Sequence, residues 1–399
     1  MSALAPLILK KNEERRLRAG HLWVYSNEVD TEKTPLNQFS NGQTALFLDA
    51  QNKPLGTGYV NPHSLICGRL LTRNPEKSLD RSLLTHRINI ALSIREQSFH
   101  KPYYRLIFGE SDFLPGLIVD RYNDILVVQI TTAGMEQAKD IVIEALNKVI
   151  NPRGILLRND HSMRGLEQLE SYVDVVHGEV ADDVLIEEND TKFIVPVKSG
   201  QKTGWFYDHR MNRQTMRQYV AGKRILDLFS YIGGWGVQAA TAGADEVFCV
   251  DASSFALDHL EQSAQLNQVD QQIACIQGDV FEALKSLRQE RERFDVIIAD
   301  PPAFIPRKKD IKKGVEAYRR VNQMAMQLLS KDGLLISASC SYHLDYGVLK
   351  NTLLSTSRHL DRNLQIIGQG HQGPDHPVHP AIPETDYLKA YFCRVLPVS

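Results

Sequence analysis

Apolar residues in the first seventy positions come in runs too short for helices. LILKK, GHLWVYSNEV, GQTALFLD, PLGTGYVN and SLICGRLL are each a short apolar or alternating run bounded by turn residues, which predicts strands closing into a small β-barrel over residues 1–73. The period then lengthens. SLDRSLLTHRINIALSIRE predicts a helix over about residues 79–97, and YYRLIFGESDFLPGLIVDRYNDILVVQIT predicts strands punctuated by Pro115-Gly116 and Asn123-Asp124. AGMEQAKDIVIEALNKVI carries apolar residues at helical spacing, and GILLRND and KFIVPV read as further strands, so residues 74–190 form an α+β middle domain. From 191 to 399 strand and helix alternate, the signature of an α/β, doubly wound, Rossmann-like domain. Its strands are RILDLF, EVFCVD, IACIQGD, FDVIIAD and GLLISASC; LQIIG and YLKAYFCRVL add two more, the last antiparallel.

Composition narrows the classes. A chain of 399 residues exceeds one hydrophobic core, and 43% hydrophobic with 24% charged residues is ordinary for globular proteins. Five cysteines, odd in number and without a CxxC pair, argue against a disulfide framework and a zinc site and fit a reducing cytoplasm. No segment approaches the ~18 uncharged apolar residues of a membrane span, so a soluble protein is expected. A net charge of -2 gives no global pull toward nucleic acid, but charge is uneven. Residues 1–73 carry nine Lys/Arg against six Asp/Glu, and PRKKDIKKGVEAYRR, residues 306–320, carries seven basic side chains against Asp310 and Glu316. Either patch is an RNA contact or a solvated face.

In open α/β sheets ligands sit beyond the carboxyl ends of the strands. Here those ends are acidic: Asp227 before the turn with Gly233 and Gly234, Asp251 seventeen positions past Gly234, Asp279, and Asp300. A dinucleotide would want the GxGxxG spacing, which is absent, and little negative charge near its pyrophosphate. S-adenosylmethionine has ribose, adenine and a positive sulfonium but no phosphate, so an acidic rim suits it. The alternative is that these aspartates only cap helices and turns.

Asp300 is followed by Pro301 and Pro302, which stiffen the loop that holds Asp300 and Phe304. A carboxylate beside an aromatic ring can grip a planar base, the acid binding an N–H and the ring stacking. Strands four and five of such a sheet lie side by side, so Cys340 is expected to face the Asp300 pocket as a nucleophile. Carbon 5 of a pyrimidine attacks a methyl donor only after a thiolate has added at carbon 6. His343 and the basic loop after Phe304 could supply positive charge to the thiol. If Asp300 donates to N3 of the base it must be protonated, which burial would favour. Cys67, Cys249, Cys275 and Cys393 read as buried small hydrophobes. Rival readings are methylation of an exocyclic guanine amine, with an incidental thiol, and an RNA-binding assembly factor with a vestigial cofactor pocket.

Together these stretches resemble the bacterial 23S ribosomal RNA large subunit methyltransferase I family, which makes 5-methylcytosine. LKKNEERRLRAGHLWVYSNEV and GTGYVNPHSLICGRLL look like its PUA domain, an RNA-binding barrel; GESDFLPGLIVDRY and LLRNDHSMRGLEQL look like its middle domain. QKTGWFYDHRMNR is similar to the motif that opens its catalytic domain, although the family usually has Phe where Tyr207 stands and Thr at Ile232. DLFSYIGGWG, VDAS, GDVFEAL, DPPAF and SCSYH follow in the family's order, and DHPVHPAIPETDYLKAYF resembles its carboxyl end. The resemblance implies S-adenosylmethionine bound by Tyr207, Asp208, Arg210, Asp227, Phe229, Ser230, Gly233, Gly234, Asp251, Ala252, Ser253, Asp279, Val280 and Asp300. It implies Cys340 and Asp300 as catalytic residues. Pro301, Pro302, Phe304, Arg307, Lys308 and Lys309 are the substrate-side expectation. No metal is expected, because prolines flank His376 and His379. The expected partner is 23S ribosomal RNA, naked or in a precursor particle; the oligomeric state stays open, with a homodimer one option.

Overall fold

The computed structural model describes residues 4–398. They divide into two compact units: Met1–Asp182, Val197–Trp205 and Pro374–Thr385 in the first, and Asp183–Pro196, Phe206–Gly373 and Asp386–Ser399 in the second.

The first unit opens with β1 (Ala5–Ile8), α1 (Glu14–Arg18), β2 (Trp23–Tyr25), β3 (Gln43–Leu48), β4 (Pro54–Val60) and β5 (Ile66–Thr72). The strands form one sheet in the order β1-β3-β4-β5-β2. Alternate side chains meet in a core of Leu7, Val24, Phe47, Val60 and the buried Cys67. Next come α2 (Arg81–Ser98), β6 (Tyr103–Phe108), β7 (Leu117–Tyr122), β8 (Ile125–Ile130), α3 (Ala133–Gln137), α4 (Lys139–Ile150), β9 (Gly154–Asn159) and β10 (Tyr172–Gly178). The sheet β10-β9-β8-β7-β6 is antiparallel except for β8 and β9, which α3 and α4 connect. Leu84 and Ile88 of α2 and Val142 of α4 pack with Leu106, Val119 and Leu126. His376 and His379 lie buried in the returning segment, His376 against the Phe108 ring and His379 against that of Phe113. Among the described residues no cluster of three or more potential metal ligands occurs, and no helix is long and apolar enough to cross a membrane.

The second unit starts with the hairpin β11 (Asp183–Glu188) and β12 (Thr191–Pro196). Then follow α5 (Arg210–Met216), β13 (Arg224–Leu228), α6 (Gly236–Thr241), β14 (Glu246–Asp251), α7 (Ser254–Leu266), β15 (Ile273–Gln277), α8 (Val280–Gln289) and β16 (Phe294–Ala299). α9 (Ile311–Leu328), β17 (Leu329–Ser339), α10 (Tyr346–His359), β18 (Arg362–Gly370) and β19 (Lys389–Pro397) complete it. The seven-stranded sheet runs β15-β14-β13-β16-β17-β19-β18. Its first five strands are parallel, and β19 is antiparallel to both neighbours. The order reverses between β13 and β16, which puts the crevice for a ligand beyond their carboxyl ends. Both faces of the central strands are covered, so β13 and β16 are nearly continuous apolar runs. On α9, Tyr318, Val321, Asn322, Ala325 and Met326 recur at helical spacing and are all buried, fixing the helix against the sheet.

Candidate active site

The turn after β13 is held in an unusual backbone path. Phe229 and Tyr231 have φ of +64° and +49°, and Gly233 has φ of +85°. Positive φ is costly for aromatic residues and ordinary for glycine. A Cβ at Gly233 would also come within 2.7 Å of Leu260 and Val237, so the turn lies flat on α6 and α7. Two carboxylates hold it. Asp227 is fully buried and accepts from the Gly236 N–H at 2.9 Å. Asp251 accepts from the Tyr231 N–H and, on its other oxygen, from the Ser253 N–H, each at 2.9 Å. The capping reading of the aspartates is therefore correct as far as it goes. Ser253 caps α7, and Asp279, which is exposed, caps α8 through the amides of Phe281 and Glu282. Ala252 is exposed, and Val280 is buried in the core.

The same turn leaves the buried Ser230 Oγ and Asp227 Oδ1 without a hydrogen-bond partner among the described residues. Buried polar atoms are seldom left unsatisfied. An acidic turn with bare polar atoms and close backbone fits a ligand that carries hydroxyls and a positive charge, as S-adenosylmethionine does.

Asp300 follows β16 and is partly buried. The Trp235 indole N–H donates to its Oδ2 at 2.9 Å, and His209 Nε2 lies 3.2 Å from Oδ1. Asn212 Nδ2 stands 3.1 Å from His209 Nδ1; with the amide donating, the ring's own hydrogen sits on Nε2, facing Asp300. Burial pushes the Asp300 carboxyl up, but the neighbouring His209 ring and the hydrogen bond from Trp235 outweigh it, and the acid lies below its ordinary range. Burial alone would favour the protonated acid that donation to N3 requires; His209 and Trp235 oppose it and favour the carboxylate.

Tyr207, Asp208 and Arg210 lie at and just before the start of α5 and are all buried. Asp208 Oδ2 accepts from the Tyr387 hydroxyl at 2.5 Å. Arg210 lies with Cζ 5.3 Å from the Tyr207 ring centroid and Nε 3.5 Å from Glu188, a buried carboxylate that also receives Arg213 at 2.6 Å.

The loop after Asp300 buries Pro301 and exposes Pro302. Phe304 is half-buried, its ring 6.2 Å from that of Phe229 and 5.0 Å from that of Tyr318. Arg307, Lys308 and Lys309 are exposed. Cys340 directly follows β17 and is half-buried. β16 and β17 are neighbours with Ala299 opposite Ser337. Asp300 and Cys340 therefore stand in the loops that leave the carboxyl ends of two neighbouring strands. Ser341 joins the two loops: its Oγ accepts from the Ile305 N–H at 3.2 Å and bonds the Tyr318 hydroxyl at 2.9 Å, which in turn receives Ser339 Oγ at 2.8 Å. Lys389 Nζ donates to the Ser341 carbonyl at 3.0 Å. His209, Trp235, Tyr318, Ser341 and Lys389 were not singled out from sequence. All five stand inside stretches quoted above, His209 in QKTGWFYDHRMNR and Tyr318 in PRKKDIKKGVEAYRR among them, which is the available signal.

Residues 150–389 match the model of the S-adenosylmethionine-dependent methyltransferase family, and residues 7–73 match that of the PUA-like domain. The sheet order, acidic turn and matched span make this chain an S-adenosylmethionine-dependent methyltransferase carrying an amino-terminal PUA-like domain. Ribosomal RNA large subunit methyltransferase I of Shigella boydii serotype 18 is 36% identical over 395 residues, covering 98% of this chain and 99% of the relative. The protein of that name from Escherichia coli O139:H28 matches with the same identity and coverage. The chain belongs to the ribosomal RNA large subunit methyltransferase I family. Among solved structures, SMU.776 complexed with SAH superposes with a TM-score of 0.83 at 22% identity, over 98% of this chain and 100% of that one, which shows the shared fold.

Proposed function

We propose that this protein methylates carbon 5 of a cytosine in large-subunit ribosomal RNA through a transient bond between Cys340 Sγ and carbon 6. The supporting observation is the position of Cys340: a half-buried thiol at the end of β17, in a turn that Ser341 ties to the loop after Asp300. The target base leaves its stack and is held by that loop, with Phe304 at its face. Asp300, as a carboxylate, accepts from the exocyclic amine, a donor that cytosine has and uracil lacks. Cys340 loses its proton and adds to carbon 6, and the ring electron pair moves to carbon 5. Bound S-adenosylmethionine supplies the methyl group that carbon 5 takes up. Loss of the carbon 5 proton to a base restores the double bond and expels the thiolate. Tyr207, Asp208, Arg210, Asp251 and the turn from Phe229 to Gly234 hold the cofactor. The PUA-like domain and Arg307, Lys308 and Lys309 hold RNA by its phosphates. A cytoplasm that keeps thiols reduced suits this chemistry.

The test is a map of methylated bases in ribosomal RNA incubated with the wild-type protein and with Cys340→Ala. One 5-methylcytosine is expected, lost in the variant. A methylated guanine amine that survives Cys340→Ala would replace this proposal with the direct-transfer mechanism.

A further inference from the structure

We propose that Lys389 is a positioning residue for the Cys340 thiol: its ammonium group pins the turn that carries the sulfur and provides the counter-charge for the thiolate. This deepens the reading of Cys340 as nucleophile and rests on it.

Lys389 opens β19 opposite Ser339, the last residue of β17. Its side chain runs inward, and only 2% of the residue is exposed. Nζ donates to the carbonyl oxygens of Ser341, at 3.0 Å, and Tyr387, at 2.9 Å. The first bond grips the residue next to Cys340. The second holds Tyr387, whose hydroxyl bonds Asp208. A buried ammonium is expensive, and two neutral carbonyls take up two of its three hydrogens without cancelling its charge. Among the described residues no carboxylate comes within ion-pair distance of Nζ. Asp386 and Asp345 act on it at longer range, the Tyr346 ring centroid lies 5.8 Å away, and the Cys340 thiolate acts on it in the same sense as the two carboxylates. Burial pulls the Lys389 amine below its ordinary value, opposed by Asp386, Asp345 and Cys340 in that order. Losing the Cys340 proton to solvent creates a negative sulfur one residue from the carbonyl that Lys389 holds and within electrostatic reach of its positive charge, which favours that loss.

The experiment follows alkylation of Cys340 by iodoacetamide against pH, quantified on the Cys340 peptide, in wild type, Lys389→Met, Lys389→Gln and Lys389→Arg, with S-adenosylmethionine binding as the check on folding. In the wild type the midpoint should lie below the ~8.5 of an ordinary thiol. In the Met and Gln variants it should rise by about one pH unit, so that alkylation at pH 7 slows about tenfold, while Arg keeps the low midpoint. A wild-type midpoint at or above 8.5, which needs no variant, would overturn the proposal, as would equal midpoints in wild type and cofactor-binding Lys389→Met. Failure of the nucleophile reading looks different: Cys340→Ala would keep methylating while the alkylation midpoints still moved.

Discussion

Asp227 lies in β13 and Asp300 just past the end of the adjacent strand β16, yet their acidities are driven in opposite directions. Asp227 is buried beside the negative charges of Asp300 and Asp251, and the Gly236 amide only partly offsets this, so its carboxyl stands well above the ordinary range. Asp300 is pulled below it by His209 and Trp235. Two acids pushed apart in this way can take different roles in one site. For Asp227 the linkage sign is clear: a raised folded value means the unfolded chain releases its proton first, so stability falls as pH rises from about 4 toward the folded value. Asp227→Asn should remove that loss, raising the melting temperature at pH 7 but not at pH 3.5, as calorimetry at both pH values would show. Sequence alone marked both acids, because strand ends in this fold face the ligand. It could not show which one stays ionised. That depends on a histidine and a tryptophan brought from elsewhere in the chain.

The glycine turn shows how an element converts local sequence into a binding surface. Phe229 and Tyr231 hold positive φ only because Asp251 and the packing of Gly233 on Leu260 and Val237 fix the loop around them. Gly233→Ala should therefore cost about 1–3 kcal/mol of stability and weaken S-adenosylmethionine binding by more than tenfold, measured by denaturant unfolding and equilibrium dialysis. A fully stable variant with unchanged affinity would mean the turn is not the cradle. The strands of the parallel sheet were legible because burial on both faces makes them apolar runs. β10 was not, since it is an edge strand with mostly exposed residues, and β11, DVLIEE, offers only three apolar positions among its charges. β17 begins at Leu329, four residues before the start GLLISASC suggests, since LSKD reads as a turn in the sequence but is strand in the structure.

At the scale of the molecule the chain order is not the order of the units. Asp183–Pro196 belongs to the second unit and Pro374–Thr385 returns to the first, with no shift in composition to announce either crossing. The basic run after Phe304 is exposed, as a group that binds phosphate must be. Replacing Arg307, Lys308 and Lys309 by Ala should lower RNA affinity uniformly across sequences. It should also flatten the slope of log K against log salt by about 0.7–0.9 for each phosphate that is no longer neutralised, read by binding titrations at several salt concentrations. The most direct measurement of the covalent step uses ribosomal RNA in which cytosine is replaced by 5-fluorocytosine. Fluorine cannot leave carbon 5 as a proton does, so the adduct should persist as a denaturation-resistant protein–RNA complex. The bond should map to Cys340, require S-adenosylmethionine and be missing in Cys340→Ala. Methylation of ordinary RNA by the same preparation with no trapped complex, or a complex that persists without Cys340, would contradict the account.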